Sequence, residues 1–166
     1  MPRRLIFLLL LAGAGFGMLC YPGISVLEIS AVSTGDILWC APVQIGEEFV
    51  ISFTHSVNKR PVFDTLRAQG DQLVIVKSVF DAFGAGMPET STEEGQLSVL
   101  PGGWLQWSVN RAVPEIMLRV GEVANHTLTI KAREFPLAQL ARPGTAVAFR
   151  ARMVSFLATM KGRCSQ

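Results

Sequence analysis

The chain has 166 residues, of which 49% are hydrophobic and 17% charged; this leaves room for one domain with a sizeable core and excludes an intrinsically disordered chain. Only one apolar run approaches the length of a bilayer span, so a polytopic membrane protein is excluded too. Arg3 and Arg4 account for the formal charge of +2; the rest carries 13 acids and 13 bases and has no electrostatic reason to seek nucleic acid.

The N-terminus has the form of an export signal. Arg3 and Arg4 make a positive start, Leu5 to Tyr21 runs without a charge, and Pro22-Gly23 breaks it. As a helix this run is about 26 Å long, short for a span but within the observed range. Residues 1–22 are therefore read as a signal peptide, cut near Ala12-Gly13-Ala14 or Gly15-Phe16-Gly17, or as an uncleaved anchor. Both place the domain outside the membrane. Met18 and Leu19 are too bulky for a lipobox at Cys20.

Residues 23–156 then alternate short apolar segments with turn residues. The expected strands are Ser25–Ala31, Ile37–Cys40, Glu48–His55, Pro61–Ala68, Leu73–Phe80, Trp104–Val109, Ile116–Val120, His126–Ala132 and Thr145–Met153. Turn chemistry separates them at Thr34-Gly35-Asp36, Gly46-Glu47, Gly70-Asp71, Pro101-Gly102-Gly103 and Pro143-Gly144. Helical patterns between strands are missing, which argues against a βαβ fold. The expectation is an all-β domain, an antiparallel β-sandwich or partly closed barrel, preceded by one hydrophobic signal or anchor helix. One helical turn is expected at Leu137–Leu140, Val154 to Met160 is ambiguous, and residues 157–166 read as a tail. Cys40 and Cys164 lie near the two ends of the mature chain and form a disulfide or remain two thiols. With no Cys-x-x-Cys, a zinc ribbon and a thioredoxin-type centre are excluded.

One hairpin allows a register to be written. A four-residue loop at Val57-Asn58-Lys59-Arg60 sets Ser56 against Pro61, His55 against Val62 and Phe53 against Asp64. His55 and Asp64 then become diagonal neighbours on an apolar face, where the carboxylate would fix the imidazole tautomer. The pair reads either as a satisfied structural contact or as the polar element of a ligand or partner site. Serine catalysis is set aside: His55 and Ser56 are adjacent and point to opposite faces of a strand, and no Gly-x-Ser-x-Gly elbow exists. His55 and His126 are the only histidines and lie far apart, and no ligand spacing accompanies them. No metal, no cofactor and no enzymatic role is expected.

The stretch Phe80 to Glu89 is the least ordinary. Gly84 and Gly86 permit positive φ and Pro88 keeps Met87 extended, giving a tight loop that displays Phe83 and Met87. It is an inter-strand corner or a docking loop. Trp104 and Trp107 read as packing residues, and Asn125-His126-Thr127 matches a glycosylation sequon.

His55-Ser56-Val57, then Pro61-Val62 and an acid at Asp64, then Phe83-Gly84-Ala85-Gly86-Met87-Pro88, resemble a bacterial family catalogued as domain of unknown function 1850. Cys40, Gly46 and Pro143-Gly144 fit the flanking pattern, and the resemblance covers roughly residues 25 to 152. The family usually has Glu where this chain has Asp64. The resemblance implies a small exported protein, periplasmic or held on the outer face of the inner membrane. Such proteins are often encoded beside TAXI-type TRAP transporters. It implies an accessory role with a TRAP permease or periplasmic solute receptor as partner, and no known chemistry. The contact or ligand surface is then expected at His55, Ser56, Pro61, Asp64, Phe83, Gly84, Gly86, Met87 and Pro88. The alternative is a small-ligand module that uses His55 and Asp64 in an apolar pocket.

Overall fold

The computed structural model describes residues 2–159 and 164. Among them are eleven strands: β1 (Pro22–Ala31), β2 (Ile37–Pro42), β3 (Glu48–Thr54), β4 (Pro61–Gln69), β5 (Gln72–Phe80), β6 (Gln96–Val99), β7 (Leu105–Val113), β8 (Ile116–Arg119), β9 (Thr127–Ile130), β10 (Arg133–Pro136) and β11 (Ala146–Ser155). They make two antiparallel sheets and not a closed barrel. One has the order β2-β1-β11-β8, the other β10-β9-β3-β4-β5-β7-β6. The chain ends meet in the smaller sheet, where β1 lies beside β11 from Pro22 against Ser155 to Ala31 against Val147.

Each expected segment coincides with a strand, with two corrections. His126–Ala132 is not one strand. The chain turns at Lys131 and Ala132, both at positive φ (50° and 58°), and returns as β10. Two consecutive positive φ values make the tight hairpin turn that matches strand twist, but Lys-Ala lacks the Asn-Gly or Asp-Gly signature that would announce it. β6 was also not anticipated; it is a four-residue edge strand with two apolar side chains. The expected turn at Leu137–Leu140 is a 3-10 turn over Leu137–Gln139. In the ambiguous segment, Val154 and Ser155 complete β11 and Phe156–Ala158 forms a helical turn, α2, with the Ser155 hydroxyl accepting from Ala158 N–H at 3.3 Å. Met160 and most of the expected tail lie outside the described residues.

Helix α1 spans Pro2–Cys20. Ile6, Phe7, Leu9, Leu10 and Met18 are exposed, so α1 is not a buried helix of the domain. Among the described residues no helix is long and apolar enough to cross a membrane. A signal peptide does not require one, because its apolar region is shorter than a span.

The core forms where the two sheets face each other. Leu27, Ile29, Trp39, Val147 and Phe149 from the small sheet meet Phe49, Ile51, Leu66, Leu73 and Leu128 from the large one. Burial of each such side chain contributes roughly 1.5–3 kcal/mol. Trp39 points inward, so its neighbour Cys40 points outward. Cys40 is joined to Cys164 by a disulfide with a Cα–Cα distance of 4.9 Å, which pins the C-terminal end to the outer face of the small sheet.

The sheets are unequal. Seven strands face four, and part of the large sheet's inner face has no sheet opposite it. That part carries a second cluster, Val62, Phe80 and Leu105, with Phe53, Met87, Leu97 and Trp107 packed around it. The gap between the two clusters is where the site lies.

Candidate functional site

Strand pairing sets one row of side chains straight across the large sheet. Phe135, Leu128, Ile51, Asp64, Ser78, Trp107 and Leu97 are successive cross-strand partners from β10 to β6. Every member is apolar or aromatic except the central two. A β-bulge at Val76 puts Ser78 there. Leu66 pairs with Ile75 and Thr65 with Lys77, so Val76 has no partner and the side-chain parity of β5 reverses. Ile75 and Ser78 consequently face the same side, and Lys77 is turned outward.

This row forms one wall of a cavity of about 440 Å³. Ile51, Phe53, Leu66, Ile75, Trp107 and Val109 supply its apolar wall from the large sheet, and Ile116, Met117 and Leu118 close it from β8. Its polar members are Asp64, Ser78 and His126, with Glu94 and Arg111 as exposed residues at the margin. The Ser78 hydroxyl donates to Asp64 Oδ1 at 2.5 Å. Burial pushes the Asp64 carboxyl above its usual range, and the Ser78 bond only partly offsets this. His126 Nδ1 accepts from Gly121 N–H at 3.4 Å, and the ring lies 5.7 Å from that of Phe53. Burial lowers its pKa, so the imidazole is neutral near pH 7, with its proton on Nε2.

The expected pairing of His55 with Asp64 is not formed. The β3–β4 loop spans residues 55–60, two residues longer than the sequence register assumed. Thr54 therefore faces Pro61, Phe53 faces Val62 and Ile51 faces Asp64. A shift of two keeps every side chain on its expected face but moves the partners along the strand. The loop is longer because it closes on itself. His55 N–H donates to Arg60 O at 2.8 Å, Lys59 N–H donates to His55 O at 3.1 Å, and Lys59 takes a positive φ of 58°. His55 thus leaves the strand, and Asp64 meets Ser78 instead.

His55 and the glycine loop do come together, in a second arrangement that we term the clasp. Asn58 Nδ2 donates to Ala82 O and Phe83 O, each at 3.2 Å, while Asn58 Oδ1 accepts from Arg60 N–H at 3.0 Å. Arg60 also forms a two-pronged ion pair with Asp81, and these bonds hold the Asp81 carboxyl below its usual range. Gly84 sits so close that an added Cβ would lie 2.9 Å from Asn58 Nδ2 and 3.1 Å from His55 Cε1. Residues Gly84 to Met87 form a turn in which Met87 N–H donates to Gly84 O at 2.9 Å and Gly86 takes a φ of 84°. This is the type II geometry that favours glycine at its third position.

A family profile, described as a domain of unknown function (DUF1850), matches residues 49–137, more than half of the chain. The chain belongs to the DUF1850 family. The matched span of the DUF1850 domain runs from β3 to the turn after β10. It contains the large sheet except Glu48, the edge strand β8, the cavity row and the clasp. Strands β1, β2 and β11 and both disulfide cysteines lie outside it. Comparison with curated proteins and with solved structures yields no significant match.

The remaining expected residues have the following positions in the DUF1850 domain. Ser56 is exposed and lines a shallow depression of about 520 Å³ with His55, Lys59, Glu122, Val123 and Gly144. Pro61 opens β4, where its missing N–H is tolerated. Phe83 is exposed, its ring edge-on to Phe80 at 6.3 Å, and Met87 packs into the second cluster, with Pro88 half-buried beside it. Trp104 packs on Phe63 at 5.9 Å, whereas Trp107 belongs to the cavity wall. Among the described residues no three His, Cys, Asp or Glu side chains converge to hold a metal ion. Sequence reasoning did not give site roles to Asn58, Arg60 and Asp81 in the clasp, or to Ser78, Trp107 and His126 in the cavity. The one available signal was on β5, where the apolar period of Leu73 and Ile75 changes phase before Phe80.

Proposed function

We propose that this chain is an extracytoplasmic binding module whose inter-sheet cavity receives a small, largely apolar ligand. The observation that carries the reading is a half-buried carboxyl, Asp64, paired with Ser78 in a row that is otherwise apolar or aromatic and lines a cavity of about 440 Å³. Apolar walls with a few convergent polar groups are the usual form of a small-molecule site. The reading is non-enzymatic. The Ser78 hydroxyl donates to a carboxylate, and neither histidine is bonded to it as a general base would be. Export, to the periplasm or the outer face of the inner membrane, is part of the proposal and rests on the arginine-led apolar start of the chain. The test is binding of the neutral fluorophore Nile red by purified protein. Fluorescence should rise on mixing and fall back in Leu118→Trp, which fills the cavity from β8, with the circular dichroism spectrum unchanged. Equal signal in the variant would refute the cavity as the binding site.

A second reading is favoured by the clasp. Its loops, braced to each other, leave Val57 and Phe83 exposed at 63% and 48%. Apolar side chains held rigidly at a surface suit a protein partner. On this reading the partner is a TAXI-type TRAP permease or its periplasmic solute receptor, and this chain is an accessory subunit. Crosslinking in intact cells at native expression should capture such a partner and lose it in Phe83→Ser. Recovery of the chain alone, at a coverage that captures known envelope complexes, would remove the reading.

A further inference from the structure

The cavity has a polarity of its own. Asp64 Oδ1 accepts the Ser78 hydroxyl. Among the described residues the carboxyl oxygen that Ser78 leaves free has no protein donor. The charges around it do not supply one either. Of the groups that line the cavity, Glu94 is acidic, Arg111 is exposed at the margin, and His126 is neutral. Acids thus outnumber fixed cations by two to one. The neighbour of Ser78 in the row is Trp107, so an indole lies one strand spacing beyond the Asp64–Ser78 pair, and Phe53 lies in the same wall. A carboxylate, an acceptor and an aromatic face together are the elements that recognise an organic cation.

We infer that the ligand is a protonated amine on an apolar body, with its ammonium at Asp64 and Ser78 and its body against Trp107 and the aliphatic wall. This rests on the binding-module reading above. An ammonium supplies the donors that the free carboxyl oxygen lacks. It also supplies the charge that offsets the loss of water from an ionised Asp64 once the ligand covers the carboxyl, so that ligand and carboxylate stabilise each other. An apolar acid of the same shape would bring a second anion to the same oxygen.

The experiment compares three probes of one shape with the purified full chain: phenethylamine, 2-phenylethanol and 3-phenylpropionate. Binding is read by Trp fluorescence and titration calorimetry at pH 7.5, with Nile red as the control for an open cavity. Phenethylamine should bind at least tenfold more tightly than the alcohol, and the propionate least. Asp64→Asn should remove the amine's advantage over the alcohol. Nile red binding with no preference for the amine would overturn the cation assignment and leave the binding-module reading standing. So would an amine preference that survives Asp64→Asn. Failure of Nile red and all three probes would overturn both.

Discussion

Gly84→Ala tests the clasp most directly, because its effect should be transmitted through one side chain. Gly84 does not have positive φ, so alanine is compatible with its backbone, and loss of unfolded-state entropy alone would stabilise the fold by about 0.4–1 kcal/mol. Against this, the new Cβ would lie 2.9 Å from Asn58 Nδ2, closer than van der Waals contact allows. Asn58 must then give up its two bonds, to Ala82 O and Phe83 O. At about 1 kcal/mol each in a partly exposed site, their loss comes to about 2 kcal/mol, so the clash outweighs the entropy gain. The net expectation is a loss of about 1–1.5 kcal/mol, or a Tm lower by roughly 3–5 °C for a domain of this size. Asn58→Ala also removes the acceptor of Arg60 N–H and should cost about 2–3 kcal/mol by itself. In that background the Nδ2 contact is gone, only His55 Cε1 at 3.1 Å remains, and Gly84→Ala should be neutral to within about 0.5 kcal/mol. Urea unfolding of the wild type, both single variants and the double variant gives the coupling energy. Additive single effects would refute the argument that Gly84 is required by Asn58.

Three other perturbations have definite expected outcomes. Gly95→Ala places a Cβ 2.6 Å from Trp107 Cζ2 and 2.7 Å from the Ser108 carbonyl, so it should destabilise by about 2 kcal/mol or more and shift Trp emission; an unchanged spectrum with full stability would contradict the packing. Replacing Cys40 and Cys164 together by alanine opens a link across 124 residues and should cost about 2–5 kcal/mol, read by unfolding with and without reductant, which should affect only the wild type. Asp64→Asn reports on pH. Burial raises the folded pKa of Asp64 above the ordinary carboxyl value, so the folded state holds this proton longer, and wild-type stability relative to the variant should fall as pH rises from about 4 through the raised pKa. The nearby His126, whose pKa is lowered, acts in the opposite sense below about pH 6.5, and Glu94 and Arg111 complete the titratable lining; all three are common to both proteins and cancel in the difference. A difference that is flat with pH would show that Asp64 is not desolvated.

Much of the fold was legible because alternation of apolar and polar residues is a local property. Phe49, Ile51 and Phe53 alternate with Val50 and Ser52, and any chain that buries one face must pair them so. What was not legible depended on backbone features without a side-chain signature. The Lys131-Ala132 turn, the self-closing 55–60 loop and the bulge at Val76 each follow from tertiary fit. The site depended on these same features. The loop moved His55 off the strand, and the bulge turned Ser78 inward to meet Asp64. Asp64 itself was placed on the right face from sequence, since a register shift of two preserves parity. Its partners were not, since they are set by the register. The contact between the two motifs was beyond sequence because the strands that carry their loops only meet once β4 and β5 have paired.

The pairing of β1 with β11 has a kinetic side. The first strand of the domain joins the last, with nearly the whole chain between them, so its closure is the contact of longest range in the molecule. A chain delivered from its N-terminus presents β1 and β2 first, yet β1 keeps one open edge until β11 arrives. The large sheet, built largely from neighbours in sequence, is free to assemble meanwhile. Folding should therefore finish only after the C-terminus is released, and truncation before β11 should leave an exposed edge strand that aggregates rather than a smaller stable domain.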